Sequence, residues 1–307
     1  MNDLIDFGCD IKFSFSKGTG AYTPFALSTE KLDTSEKQMQ FSHGFWSMAE
    51  AGQMKAQMVF SLRLGRAGNC HSFLHEVMHF YQDMYGLYLI PIKETGVFPI
   101  CLDLKSTIIG LLFCEAWAET EAIRTCWSLK NKGNDTGWRG AITSHDWKAL
   151  AVAYDKDLQD GIDEAKAAAN TMERWYKGSH RLFYEKHAAR IYDLNISRFT
   201  VDIPDFPDPQ YSANFRALEV DQLFQRLPQD MLPKYLPYLD WTSDLFAQPR
   251  SLDVKAKIEE FEQLYGSVDD SDIQDIKCGS PVYLWKRLRM AETENSEVPP
   301  PPNAHAS

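Results

Sequence analysis

The chain has 307 residues, of which 44% are hydrophobic, so it can bury a substantial core and form one large domain or two small ones. Its 43 acidic and 32 basic residues give a net charge of -11 without any basic run, which argues against nucleic-acid binding. No apolar run is long enough to span a membrane, and no Sec-type signal peptide is recognisable at the start. We therefore expect a soluble protein that is cytoplasmic, or exported without a cleaved N-terminal signal.

Several enzyme classes are excluded by missing motifs. The six cysteines form no Cys-x-x-Cys pair, so we expect reduced, buried thiols rather than a cysteine zinc site. The sequence also lacks a Gly-x-Ser-x-Gly elbow, a Walker loop and a dinucleotide-binding glycine fingerprint.

The first elements in chain order are two strands. Apolar residues alternate with polar ones in Asp10–Ser16 and again in Lys55–Leu64, which is the period of a half-buried strand. The second strand runs directly into the helix described next. If it lies at the edge of a sheet, it could pair with an extended peptide, although an internal strand without a ligand role fits the pattern equally well.

The next segment, Asn69–Gly86, predicts a helix that carries His75, Glu76 and His79 in the order His-Glu-x-x-His. Two histidines four residues apart share one helical face, so their ring nitrogens can converge on one ion. Polar residues fill about a third of the circumference and apolar residues the rest. This predicts a core helix with one polar strip. The alternative is a surface helix that shows the strip to water, but the strip has no Lys or Arg.

A long helix follows, predicted from Leu104 to Lys130, and it places Glu115 and Glu119 on an apolar face. A buried carboxylate is costly unless it is paired, hydrogen-bonded or bound to a metal. We therefore expect Glu115 to be the third metal ligand and Glu119 to accept a hydrogen bond from the far nitrogen of a ligand histidine. Alternatively, both line a polar seam between helices.

The rest of the chain is predicted to be mainly helical, from about residue 144 to residue 194, with helices later at Val254–Tyr265 and in two further segments. His180, Tyr184 and His187 share a helical face, and could donate hydrogen bonds in an active-site cleft or simply cap the core. Prolines between residues 203 and 237 mark either a boundary or a surface excursion. We predict a catalytic domain over 1–200, a helical subdomain over 201–290 that could belong to the same domain, and a disordered tail over 291–307.

The His-Glu-Val-Met-His motif at 75–79, followed by Glu115-Ala-Trp-Ala-Glu119, resembles the zincin metallopeptidases and specifically their gluzincin branch. The chain also resembles uncharacterised bacterial proteins grouped as metallopeptidases. The resemblance implies one Zn²⁺ per chain, held by His75, His79 and Glu115. It also implies that Glu76 is the general base and that Glu119 supports one of the ligand histidines. It also implies an α+β, mainly helical zincin-like fold, with a small mixed or antiparallel sheet preceding the His-Glu-x-x-His helix.

The function expected from these residues is zinc-dependent hydrolysis of peptide bonds, with a peptide or protein as substrate and neither nucleic acid nor membrane as partner. The alternative is an inactive zincin-fold protein that keeps the metal and serves binding or regulation. A helical protein without metal is a third reading. The oligomeric state and the substrate stay open.

Overall fold

The computed structural model describes the backbone of residues 10–14, 21–27, 54–61, 65–84, 101–202, 215–216 and 232–265. Helices make up most of this part of the chain, as the apolar spacing predicts. A single 3₁₀ turn covers Leu236–Tyr238. The α-helices are α1 Gly65–Met84, α2 Leu104–Asn131, α3 Thr136–Thr143, α4 Lys148–Gln159, α5 Glu164–Lys177, α6 His180–Asp202, α7 Asp244–Ala247 and α8 Leu252–Tyr265.

Helix α2 is the centre of the fold. It starts at an aspartate cap, where the Asp103 carboxylate accepts a hydrogen bond from the backbone N–H of Ser106 at 2.6 Å. Its side chains are buried on most of its surface from Leu104 to Cys126, because α1, α3, α5 and α6 all pack against it. A helix that is apolar nearly all round is stable only when neighbours cover it, and this explains its central place.

Two glycines of α3 allow that helix to approach its neighbours closely. A Cβ atom added at Gly140 would lie 2.1 Å from the carbonyl oxygen of Ala67 in α1, and one added at Gly137 would lie 2.7 Å from the Sγ of Cys126 in α2. Only glycine permits a backbone contact of this kind. The start of α1 is therefore fixed by direct contact with the backbone of α3.

A buried ion pair within α6 connects this helix to α7 and to the segment that follows α7. The guanidinium of Arg181 donates to the Glu185 carboxylate at 2.7 Å, and both side chains are fully buried. Arg181 also donates to the carbonyls of Leu245 and Gln248. The Glu185 carboxylate in turn accepts hydrogen bonds from the backbone N–H groups of residues 250 and 251. These bonds tie the C-terminal helices to α6.

Residues from both sides of the predicted boundary near residue 200 share one hydrophobic core. Phe246, Val254, Ile258 and Phe261 belong to the same buried cluster as the residues of α2 and α5. The division into 1–200 and 201–290 stays a prediction. The predicted tail over 291–307 lies outside the described residues.

The predicted fold class, α+β with a small sheet before the histidine helix, is wrong. Every residue that the structure describes as buried lies on a helix or in a connection between helices, so the described core is built from helices alone. Short extended segments do occur, but no side chain in them is described. They are β1 Asp10–Ser14, β2 Ala21–Leu27, β3 Met54–Ser61, β4 Cys101–Leu102 and β5 Phe215–Arg216.

The sheet was predicted from the alternation of apolar and polar residues along two segments. Alternation of apolar and polar residues reports a local extended conformation, and it does not report whether other elements pack on the strand. Of the two positions left open for the 55–64 segment, the structure shows the internal one, because β3 pairs with β1 on one side and with β2 on the other. None of the described helices has the length and apolar character that a bilayer crossing requires.

We expect Glu185→Ala to lower the free energy of unfolding by about 3 to 5 kcal/mol, because it leaves the buried Arg181 charge without its carboxylate. Urea unfolding followed by circular dichroism measures this loss. The matched control is Glu173→Ala, which breaks a solvent-exposed pair with Lys177 and should change stability by at most about 1 kcal/mol. Equal effects of the two substitutions would show that the buried pair does not hold the C-terminal helices.

Candidate metal centre

The buried side of α1 is its polar side. The fully buried residues of this helix, among those whose side chains are described, are polar, and the apolar residues between them, such as Phe73, Leu74, Val77 and Met78, are only partly buried. This arrangement is the reverse of an ordinary amphipathic helix. The surface-helix alternative is therefore excluded. The buried polar residues are His71, Ser72, His75, Glu76, His79 and Gln82.

Three of the predicted site residues converge between α1 and α2. The Nε2 atoms of His75 and His79 lie 3.0 Å apart, and each lies 3.5 Å from the Oε2 atom of Glu115. Ligand atoms bound at 2.0 to 2.1 Å to a tetrahedral zinc ion lie about 3.3 Å from one another. The three atoms thus have the spacing of three corners of such a tetrahedron. We call His75, Glu115 and His79 the metal centre.

The outer nitrogen of each histidine faces a side chain that can hold the ring in place. The Nδ1 atom of His75 lies 3.2 Å from Oε2 of Glu119, and Nδ1 of His79 lies 2.9 Å from Oε1 of Gln82. The Gln82 amide also donates to the carbonyl of Cys114 in α2 at 2.9 Å. Contacts of this kind fix the ring orientation and tautomer of a metal-ligating histidine, and leave Nε2 free for the ion.

The ionisable side chains of the metal centre shift one another's pKa values. Burial acts to lower the pKa of both histidines, but the Glu115 and Glu119 carboxylates raise the pKa of His75 well above its usual range, and Glu115 raises that of His79. Burial acts to raise the pKa of Glu115, yet the two imidazoles hold it well below its usual range. The buried carboxylates therefore require positive charge beside them, and a divalent cation can supply it.

Glu76 is buried beside these groups, with 6% of its surface exposed. Its charge acts on both histidines of the metal centre and on Tyr184 of α6. The carboxylate is therefore near enough to these residues to influence their pKa values. A buried carboxylate near the metal centre is a candidate proton acceptor for an attacking water molecule.

The three candidate donors on α6 have different surroundings. Tyr184 lies near the metal centre, because burial and the carboxylates of Glu115, Glu119 and Glu76 raise the pKa of its phenol well above the usual range. His180 instead lies near Asp146, with 3.9 Å between Nε2 and Oδ1. His187 is exposed and stacks on Phe183. The structure places only Tyr184 of the three beside the carboxylates of the site.

Two residues of the site were not predicted in these roles. His71 is fully buried, and its Nε2 lies 3.4 Å from Oε1 of Glu119. Gln82 belongs to the predicted polar strip, but its contact with His79 was not foreseen. The sequence did contain a signal for His71, because it precedes His75 by four residues and so shares a face with both motif histidines.

We expect Gln82→Met to weaken Zn²⁺ binding by about 10- to 100-fold, because Nδ1 of His79 loses its hydrogen-bond acceptor. Competition with a chromogenic chelator measures the affinity. Gln159→Met is the matched control, since Gln159 is exposed on α4 and should leave the affinity unchanged. Unaltered affinity in Gln82→Met would show that this contact does not support the metal centre.

Comparisons with known proteins agree with the geometry of the site. A search of curated proteins and a search of solved structures found no match. Residues 26–195 match a family model described as "Putative metallopeptidase family (DUF6782)", and this range contains the metal centre together with Glu76, Glu119 and Tyr184. Since the match covers more than half of the chain, the protein belongs to this metallopeptidase family.

Proposed function

We propose that the protein is a zinc-dependent peptidase of the gluzincin type. In this proposal one Zn²⁺ is held by the metal centre, Glu76 is the general base and Tyr184 is a hydrogen-bond donor to the developing oxyanion. The substrate is a peptide or a protein. The main support for the proposal is that the Nε2 atoms of His75 and His79 and one carboxylate oxygen of Glu115 lie 3.0 to 3.5 Å from one another.

The donor set supports zinc among the divalent metals. Two neutral imidazoles and one carboxylate are a common ligand set of catalytic zinc sites, whereas Mg²⁺ and Ca²⁺ prefer oxygen ligands alone. Three protein ligands leave one coordination position for a non-protein ligand, and a structural site would be closed by a fourth. In the described residues the group that can hold a metal consists of the three residues of the metal centre.

The chemistry divides between the ion and the protein. When bound, zinc would polarise the scissile carbonyl and lower the pKa of a bound water molecule towards about 7. Glu76 accepts a proton from the attacking water and passes it to the nitrogen of the leaving amine. Because Glu76 follows His75 directly on a rigid helix, its carboxylate keeps a fixed relation to the metal centre.

Tyr184 is suited to stabilise the transition state. Its raised phenol pKa means that the hydroxyl stays protonated at neutral pH, so it can donate a hydrogen bond. The carboxylates near the phenol make a negatively charged phenolate unfavourable, so the proton stays available to a substrate oxyanion formed nearby. Donors placed in advance at a developing negative charge make one of the largest contributions to catalysis.

We expect Glu76→Gln to reduce turnover of a broad peptide library by about 10²- to 10⁴-fold while zinc content stays at one ion per chain. The amide keeps the shape of the side chain but cannot accept the proton. Turnover and zinc content by elemental analysis are measured on the same samples.

Glu173→Gln makes the same chemical change at a solvent-exposed position and should leave turnover intact. Hydrolysis that survives Glu76→Gln would overturn the role of Glu76. Stoichiometric zinc with no turnover of any peptide would favour the alternative, an inactive protein that keeps the metal for binding or regulation.

We expect Tyr184→Phe to lower kcat by about 10²- to 10³-fold with little change in zinc affinity, because one oxyanion donor is lost. His180→Gln and His187→Gln serve as controls on the same helix, and both should retain wild-type kcat since neither residue is placed at the metal centre. A larger loss in either histidine variant than in Tyr184→Phe would assign the donor role elsewhere.

A further inference from the structure

His71 is a buried titratable residue that the proposed mechanism does not use. It lies on the face of α1 that carries both metal-centre histidines, one turn before His75, and none of its surface is exposed. Both of its ring nitrogens are buried. Burying an imidazole is costly unless it has polar partners, and a leucine of similar size would fill the same space without that cost. Its presence therefore needs a reason beyond packing.

The polar group that His71 faces is the Glu119 carboxylate. Glu119 presents its Oε2 to Nδ1 of His75 at 3.2 Å and its Oε1 to Nε2 of His71 at 3.4 Å. An N–H···O hydrogen bond forms at about 2.9 to 3.0 Å, so a movement of a few tenths of an ångström closes the contact with His71. The carboxylate thus lies between two imidazoles, one of which belongs to the metal centre.

A second contact holds the His71 ring from the other side. The indole of Trp147, the residue just before α4, stacks on it with ring centroids 4.2 Å apart and an angle of 28° between the planes. Stacking fixes the plane of an imidazole, and this plane determines where its N–H bond points. The described contacts of His71 therefore orient it towards Glu119.

We propose that His71 is a positioning residue that holds the Glu119 carboxylate in the orientation in which it supports His75 as a metal ligand. The inference rests on the proposed metal site and extends it by one further residue. A carboxylate that is anchored through only one oxygen can rotate about its last bond, and a second anchor removes this freedom. His71 acts through Glu119 and does not touch the metal or the substrate.

The proposal predicts that the hydrogen-bond donor at position 71 matters, rather than the ring itself. In His71→Leu the donor is lost and the volume is kept, and we expect Zn²⁺ affinity to fall by about 10- to 100-fold, as for other residues that support metal ligands. In His71→Gln the amide N–H can donate to the same carboxylate oxygen, and most of the affinity should return. The unfolding midpoints of the metal-free variants are measured alongside.

A second variant leaves the side chains of His71, Glu119 and His75 unchanged. Trp147→Leu removes the stacking surface of the His71 ring, and we expect it to lower Zn²⁺ affinity by a smaller factor than His71→Leu. His145→Leu is the matched control, because His145 is fully exposed two residues earlier and should bind zinc as the wild type does.

Zn²⁺ alone is the probe, with the full chain in competition against a chelator. Lowered affinity in His71→Leu together with recovery in His71→Gln supports the proposal. Wild-type affinity in His71→Leu overturns it, and so does an equal loss in the Leu and Gln variants, since a packing role alone would treat both alike. If His71→Leu does not fold, Trp147→Leu decides: wild-type Zn²⁺ affinity in that variant overturns the positioning role, and lowered affinity supports it.

The proposed peptidase activity is judged by a different measurement. Zinc affinity tests His71, whereas turnover of the peptide library tests the enzyme. If wild-type protein binds zinc without cleaving any peptide, the peptidase proposal fails and the affinity series still decides the role of His71. If wild-type protein cleaves peptides and His71→Leu binds zinc normally, only the inference about His71 fails.

Discussion

The structure depends on one constraint, which is that acidic and imidazole side chains buried between α1 and α2 must compensate one another. Glu115 and Glu119 lose their hydration in the interface, and histidines of α1 meet both of them. The pairing determines which side of α1 faces the core. It also favours a defined register of the two helices, since a shift of one turn would change which histidines each carboxylate meets.

This constraint connects the fold to the chemistry. The glycines of α3 fix the start of α1, and the burial of α2 by four neighbouring helices fixes the carboxylates, so both halves of the metal centre stand on rigid elements. Gln82 and Glu119 then contact the outer ring nitrogens of His79 and His75. A site that is assembled before an ion arrives does not have to order its ligands on binding, which favours affinity and a defined geometry.

Sequence reasoning found those parts of the site that follow from helical spacing. Residues four apart share a face, so the pairing of His75 with His79 and of Glu115 with Glu119 could be read directly. It missed the contact between His71 and Glu119, because that depends on how two helices pack, and the two residues are 48 positions apart in the chain. It could not separate Tyr184 from its helical neighbours, because spacing alone does not show that His180 lies beside Asp146. The α+β assignment failed for a similar reason, since alternation describes a strand and not its packing.

The central claim is most directly tested by X-ray absorption spectroscopy of the zinc-loaded protein. We predict one zinc ion with two imidazole nitrogens at about 2.0 to 2.1 Å and oxygen in the remaining positions, without sulfur. Substituting Ala for His79 should remove one imidazole from the spectrum or abolish binding. A spectrum with a cysteine sulfur ligand, or one that does not change in the His79→Ala protein, would contradict a metal centre built from these two helices.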